Sequence, residues 1–264
     1  MTLGPLAELA QRPGRAAFVL DFDGTLAPIV DDPAEAQPLD AVLEPLHALA
    51  ESLRLVAIVS GRPVTFLRER VPVPGILLVG AYGLERLVND QVVLDPRARP
   101  FAPAVAAAAA EAEATWPHLL VERKGELAVT IHWRTATGAA PHATELEALA
   151  ARHGLARQPG RMACELRPPV AVDKATTVAE LWRESRWDAV AVAGDDHGDL
   201  AVFEWLPRAA DEELGAGFHF VRIAVRSSEA PLALLAHAEL VVDGPSGLAA
   251  LLRELTASLR PRPA

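Results

Sequence analysis

Three features of the chain point to an α/β core interrupted by an inserted α+β block. Short, wholly apolar segments alternate with amphipathic helical ones over residues 16–80, as in a parallel sheet covered on both faces. The same rhythm returns after residue 168. Between the two stretches, two proline clusters enclose a segment whose strands alternate apolar and polar residues, the signature of a sheet with one covered face.

Residues 16–22, AAFVLDF, read as a buried strand. Leu39, Val42, Leu43, Leu46 and Leu49 recur at helical spacing, which predicts a helix over 38–51. Residues 53–59 form a second apolar strand, and Pro63 suits the first position of a helix over 63–70. Residues 76–80 are a third strand; 84–88 and 91–94 flank Asn89-Asp90 as a hairpin. After Pro96, Pro100 and Pro103 come an Ala-rich helix at 104–114 and two strands about a Lys124-Gly125 turn within 121–134. A helix at 140–153 follows, then a hairpin over 155–166 turning at Pro159-Gly160, before Pro168 and Pro169 close the block. The last third reads helix 174–185, strand 188–193, helix 198–206, strands 219–225 and 239–242, and helix 246–259. The expected division is a core of 1–99 and 168–264 with an insert, αββαββ in order, at 100–167.

Composition narrows the function. The chain has 264 residues, half of them hydrophobic, and a formal net charge of −10. An acidic chain repels phosphate backbones, which argues against nucleic acid as a partner. A single cysteine, Cys164, excludes an internal disulfide and argues strongly against a thiolate metal cage. No apolar run is long enough to span a membrane and no secretory signal is visible, so a soluble, cytoplasmic protein is expected. Of the 25 basic residues only two are lysines, Lys124 and Lys174, which makes each worth a question.

Four segments carry chemistry, each just past a predicted strand or at a helix start. The first is Asp21-Phe22-Asp23-Gly24-Thr25-Leu26. Side chains two apart on a strand point the same way, so Asp21 and Asp23 project together from the end where open α/β sheets bind ligands. Paired carboxylates need a compensating cation, and Mg²⁺, with its preference for oxygen ligands, fits. The second is Val59-Ser60-Gly61-Arg62, whose hydroxyl and turn N–H groups suit an anion and equally suit an ordinary helix cap. The third is Lys174 at the opening of a helix, where a cation opposes the helix dipole and calls for an anionic partner. The fourth is Gly194-Asp195-Asp196-His197-Gly198-Asp199. Helix capping explains one of its carboxylates but not three, and a strand next to the first would carry Asp195 to the same ion as Asp21. His197 reads as a loop residue, since Mg²⁺ prefers oxygen.

In this order the four segments resemble the motifs of the haloacid-dehalogenase-like phosphatases. Gly80-Ala81-Tyr82-Gly83-Leu84-Glu85-Arg86, Val121-Glu122-Arg123-Lys124-Gly125, Ile131-His132-Trp133-Arg134 and Glu165-Leu166-Arg167-Pro168-Pro169 are similar to segments of the trehalose-6-phosphate phosphatase family, from about residue 16 to 255. Two departures stand out: Lys174-Ala175 where the family often has Lys-Gly, and Gly198 and Leu200 where it often has Thr and Glu. The resemblance implies a Rossmannoid α/β core with helices on both faces and an inserted α+β cap. It implies Mg²⁺-dependent hydrolysis of trehalose 6-phosphate, with Asp21 as nucleophile and Asp23 as general acid and base. The ion would be held by Asp21, the Asp23 carbonyl and Asp195, with Asp196 and Asp199 behind them. Ser60 and Lys174 would hold phosphoryl oxygens. Gly61, Arg62, Glu85, Glu122, Lys124, His132, Arg134 and Glu165 would bind substrate. A functional link to a trehalose-phosphate synthase is implied too. The rivals are the same chemistry on sucrose phosphate or mannosyl-phosphoglycerate, and a silent sugar-phosphate binder.

Overall fold

The structure, a computed structural model, describes residues 4–30, 32–134, 136, 138–160, 162–215, 217–227 and 230–259. The ends of the expected core, 1–3 and 260–264, lie outside the described residues. Strands β1 (Ala16–Leu20), β2 (Leu55–Val59), β3 (Ile76–Gly80), β4 (Glu85–Val88) and β5 (Gln91–Leu94) come first. β6 (Leu120–Lys124), β7 (Ala128–His132), β8 (Ala156–Gly160) and β9 (Ala163–Arg167) form a separate sheet. β10 (Ala189–Gly194), β11 (His219–Arg226) and β12 (Leu240–Asp243) return to the first. The helices are α1 (Ala7–Gln11), α2 (Asp40–Ser52), α3 (Val64–Arg70), α4 (Ala102–Thr115), α5 (Ala143–Arg152), α6 (Lys174–Ser185), α7 (His197–Ala209), α8 (Leu232–His237) and α9 (Gly244–Ser258).

The large sheet has the order β12-β11-β10-β1-β2-β3-β4-β5. Its first six strands are parallel, and the β4–β5 hairpin is added antiparallel at one edge. Alternation of side chains explains why the central strands are apolar throughout. Ala16, Phe18 and Leu20 join the cluster under α1, α2, α3 and α9, whereas Ala17 and Val19 join the one under α6, α7 and α8. Each fully buried Leu or Phe in these layers contributes about 1.5–3 kcal/mol.

The second sheet, β6-β7-β9-β8, is antiparallel throughout. Val129, Ile131, Cys164 and Leu166 pack on Val105, Ala108 and Ala112 of α4 and on Leu146 and Leu149 of α5, a core of its own. The opposite face of this sheet carries Glu122, Thr130 and Glu165 in register.

Several details differ from expectation. Pro63 is the residue before α3, with extended ψ of 146°, because Arg62 and Ser60 are held in the preceding turn. Pro159 and Gly160 lie inside β8 rather than at a turn. β8 is an edge strand, where the missing proline N–H costs no ladder bond. The Asn89-Asp90 hairpin, by contrast, forms as expected, with φ of 50° and 60° at the turn. α1 and α8 were not anticipated; at five and six residues they are too short to display a full amphipathic period. No helix among the described residues is long and apolar enough to cross a membrane.

Candidate active site

The site forms where β10, β1 and β2, side by side, reach their C-terminal ends. Register aligns Leu20 of β1 with Ala193 of β10 and Ile58 of β2, so the residues just beyond converge. The Asp21 N–H donates to the Ala193 carbonyl at 3.0 Å, which carries the strand geometry one residue past β1 and fixes that carboxylate at the tip. Gly24 then turns the chain at φ 72°, and a β-carbon there would lie 2.0 Å from Asp195 Oδ2. The glycine is therefore needed for both the turn and the close approach of two loops.

Lys174, at the first position of α6, sits at the centre. Its Nζ lies 2.8 Å from Asp21 Oδ1, 2.8 Å from Asp199 Oδ1 and 3.6 Å from Asp196 Oδ1. Asp199 spends its other oxygen on the N–H groups of Asp195 (3.0 Å) and Asp196 (3.2 Å). Asp196 caps α7, accepting from the Asp199 N–H. Asp195 accepts from Ser227 Oγ at 3.1 Å and from Thr25 Oγ1 at 3.5 Å. Asp21, Asp195, Asp199 and Lys174 are all buried. His197 is exposed and outside the cluster, but it opens α7 rather than lying in a loop, because Asp196 caps the helix just before it.

Burial dominates the electrostatics. It pushes the Asp21 carboxyl up to about 7; Lys174 opposes the shift, and Asp196 and Asp195 add to it. Burial pushes Asp195 up to about 7 as well, reinforced by Asp199 and Asp196. Burial also works against the Lys174 ammonium, yet Asp199 and Asp21 outweigh it and hold Lys174 well above the usual lysine range. Several carboxylates thus share one ammonium, an arrangement short of positive charge.

Asp21, Asp195 and Asp199 each present an oxygen within 4.8 Å of the others. This all-oxygen donor set fits a hard divalent cation. Asp199 is engaged by Lys174 on one oxygen and by the Asp195 and Asp196 N–H groups on the other, which casts it as support for Asp21 and Asp195.

Ser60 follows β2, and its Oγ accepts from the Arg62 N–H at 3.2 Å. Arg62 Nε and Nη2 each bond the Asp23 carboxylate at 2.7 Å, a bidentate pair, while the guanidinium lies 4.5 Å from the Phe66 ring. Asp23 lines the same cleft as Asp21, but its carboxylate is held by Arg62 rather than by Lys174. The chain has left the strand by then, and Asp23 lies in the turn that follows β1.

The small sheet supplies the facing wall. His132 Nε2 lies 2.8 Å from Glu122 Oε2, and Lys124 Nζ donates to Glu165 Oε2 at 3.0 Å. Asp21, Ser60, Gly61, Arg62 and Lys174 join Glu122, Lys124 and His132 around a cleft of about 240 Å³. A larger opening of about 610 Å³ takes in Asp23, Arg62, Glu122, His132, Arg134 and Asp195. Two expected substrate residues stand apart from both. Glu165 reaches the cleft only through Lys124. Glu85 is buried behind it, accepting from the Val64 N–H at 2.8 Å, because α3 begins without a side-chain cap of its own. Glu85 thus serves the start of α3, and its other oxygen lies against the turn at Gly125. Ser227 and Tyr82 were not anticipated; Ser227 lies beyond β11, and Tyr82 lines the cleft.

A model of the trehalose-phosphatase family matches residues 19–237. The chain is 32% identical to the trehalose-phosphate phosphatase of Mycobacterium tuberculosis over 264 residues, covering 94% of this chain and 63% of that protein. It is 36% identical to the Mycobacterium marinum trehalose-phosphate phosphatase over 170 residues, 62% of this chain and 43% of that one. The chain therefore spans between 43% and 63% of the length of these relatives. Among solved structures, a trehalose-6-phosphate phosphatase related protein matches with TM-score 0.74 at 24% identity, covering 91% of this chain and 97% of that one. The C-terminal domain of trehalose-6-phosphate phosphatase from C. albicans matches with TM-score 0.71 at 21% identity, covering 98% of each chain. A haloacid dehalogenase-like hydrolase from Bacteroides thetaiotaomicron matches with TM-score 0.62 at 16% identity, covering 91% of this chain and 99% of that one. At these identities the structural likeness speaks for the fold, which is the α/β architecture described above.

Proposed function

The chain belongs to the trehalose-phosphatase family, and from that premise we propose that it hydrolyses trehalose 6-phosphate to trehalose and phosphate, with Mg²⁺, through an aspartyl-phosphate on Asp21. The observation that carries the reading is the convergence of Asp21, Asp195 and Asp199 on one another, with Lys174 bonded to Asp21 and Asp199, beside the Ser60 turn.

In this reading an Asp21 oxygen attacks phosphorus and the bond to the sugar oxygen breaks. Asp23 gives its proton to that departing oxygen and later takes one from the water that cleaves the aspartyl-phosphate, releasing phosphate and free Asp21. Because Asp23 is paired with Arg62, it must exchange that partner for the ester oxygen as substrate enters. Ser60 and Lys174 hold the phosphoryl oxygens on which charge accumulates. Mg²⁺ held by Asp21, Asp195 and the Asp23 carbonyl would offset the repulsion between the Asp21 carboxylate and the anionic ester. Asp196 and Asp199 keep Lys174 and the Asp195 loop in position. Residues 100–167 act as a cap, with Glu122, Lys124, His132 and Arg134 facing the sugar and Glu165 steadying Lys124. A cytoplasmic location and a functional link to a trehalose-phosphate synthase, which would supply the substrate, belong to the same proposal.

The test is phosphate release from trehalose 6-phosphate, sucrose 6-phosphate and mannosyl-phosphoglycerate by the purified chain. Trehalose 6-phosphate is expected to be preferred, and turnover to stop with EDTA and return with excess Mg²⁺. Preference for another ester, or turnover indifferent to chelator, would overturn the assignment.

A linked expectation concerns stability. Asp21 and Asp195 titrate near 7 in the fold and near 4 when unfolded. Between these values the folded state holds the extra protons, so their contribution to stability falls as pH rises through the window. A divalent cation must displace those protons at low pH but not above 7. The rise in Tm on adding Mg²⁺ should therefore be larger at about pH 7.5 than at about pH 5.5. Equal rises by calorimetry would argue against these two carboxyls as ligands.

A further inference from the structure

We propose that Tyr82 is a specificity residue whose phenol hydroxyl hydrogen-bonds a hydroxyl of the sugar that carries the phosphoryl group. The proposal rests on the sugar-phosphate reading above and assigns a residue to which that reading gives no role. Tyr82 is the single tyrosine of the chain. It follows β3 in a tight turn with φ 59° and ψ 17°, a left-handed conformation uncommon for a bulky aromatic residue. Such backbone persists only where its surroundings hold it, and it gathers at ligand sites.

The surroundings do hold it. The Tyr82 N–H donates to the Ser60 carbonyl at 2.9 Å, and its carbonyl accepts from Thr177 Oγ1 at 2.7 Å. The Arg167 guanidinium lies 5.5 Å from the ring centroid. The tip of the ring rests on the turn after β2: a β-carbon on Gly61 would lie 2.6 Å from both Cζ and the hydroxyl oxygen. Packing alone does not require the hydroxyl, because a phenyl ring would cover Gly61 as well.

The hydroxyl has no hydrogen-bond partner among the described residues, although Tyr82 lines the cleft. Burial, with Glu165 next in effect, pushes the phenol up to about 12, so it stays a neutral donor and acceptor near neutral pH. The charged groups facing it are already matched, Lys124 with Glu165 and Lys174 with Asp21 and Asp199. A neutral hydroxyl able to donate and accept is the chemistry that completes such a group. The phosphoryl oxygens have Ser60 and Lys174, which leaves a sugar hydroxyl as the complement. A site built to bond a substrate hydroxyl also discriminates against esters that lack one.

The test compares Tyr82→Phe with the unaltered protein on trehalose 6-phosphate and on acetyl phosphate, which has no sugar hydroxyl. The expected result is a fall in kcat/KM of about tenfold on trehalose 6-phosphate and less than about twofold on acetyl phosphate. Equal falls on both would mean that the phenol only supports the Gly61 turn, and no fall on either would mean that it does nothing; each overturns the proposal. Because the tyrosine is single, incorporating 3-fluorotyrosine gives one fluorine resonance. In the Asp21→Asn background, trehalose 6-phosphate should shift that resonance further than inorganic phosphate does. Equal shifts would again overturn it. If the unaltered protein releases no phosphate from trehalose 6-phosphate, the substrate assignment fails separately. The comparison then runs on whichever sugar phosphate the panel identifies, with the same outcomes.

Discussion

Replacing Asp21 with Asn is expected to abolish phosphate release, lowering kcat by about 10⁴-fold or more. The amide keeps the shape of the carboxylate and an oxygen for Lys174, which lies 2.8 Å away. It does not keep the nucleophile. The fold should tolerate the change, because burial already pushes the Asp21 carboxyl up to about 7 and a neutral group there relieves crowding among Asp21, Asp195 and Asp196. The expected pair of results is an unchanged or raised Tm together with lost turnover. Retained turnover in Asp21→Asn would remove the covalent mechanism.

Lys174→Met is expected to damage both stability and activity. Lys174 is the cation that Asp21, Asp196 and Asp199 share, and it is buried with two of them. Removing one partner of a buried ion pair leaves uncompensated charge, at a cost of about 3–5 kcal/mol. The deficit should shrink at low pH, where the orphaned carboxyls take up protons rather than remain charged. Urea unfolding at about pH 5.5 and about pH 7.5 would show this as a smaller loss at the lower value. A variant as stable as the parent at pH 7.5 would mean that the carboxylates are neutralised by other means, and the central role given to Lys174 would fall.

How much of this was readable beforehand varied with the range of the interactions involved. The Asp21–Leu26 segment announced a strand tip because its signals are local: an apolar run, paired carboxylates and a glycine that turns at φ 72°. The Asn89-Asp90 hairpin was legible for the same reason, both residues being of the kind that tolerates positive φ. The Pro159-Gly160 turn was misplaced because dipeptide chemistry does not reveal which strand lies at an edge. The acceptance of the Val64 N–H by Glu85 is invisible in the sequence, since it depends on how α3 sits against β4. The Arg62–Asp23 pair and the place of Tyr82 in the cleft were hidden likewise, since each depends on how neighbouring turns stack.

Local pattern therefore sufficed to say that this chain builds parallel strands with carboxylates just past two of them, because a side-chain period of two and a run of apolar residues are properties of adjacent positions. It left open which strands are neighbours. Asp195 meets Asp21 because β10 pairs with β1 across more than half the chain, and Ser60 joins them because β2 takes β1's other side. Such pairing is chosen by the burial of whole sheet faces and by the closing of long connections, to which no single segment holds the key.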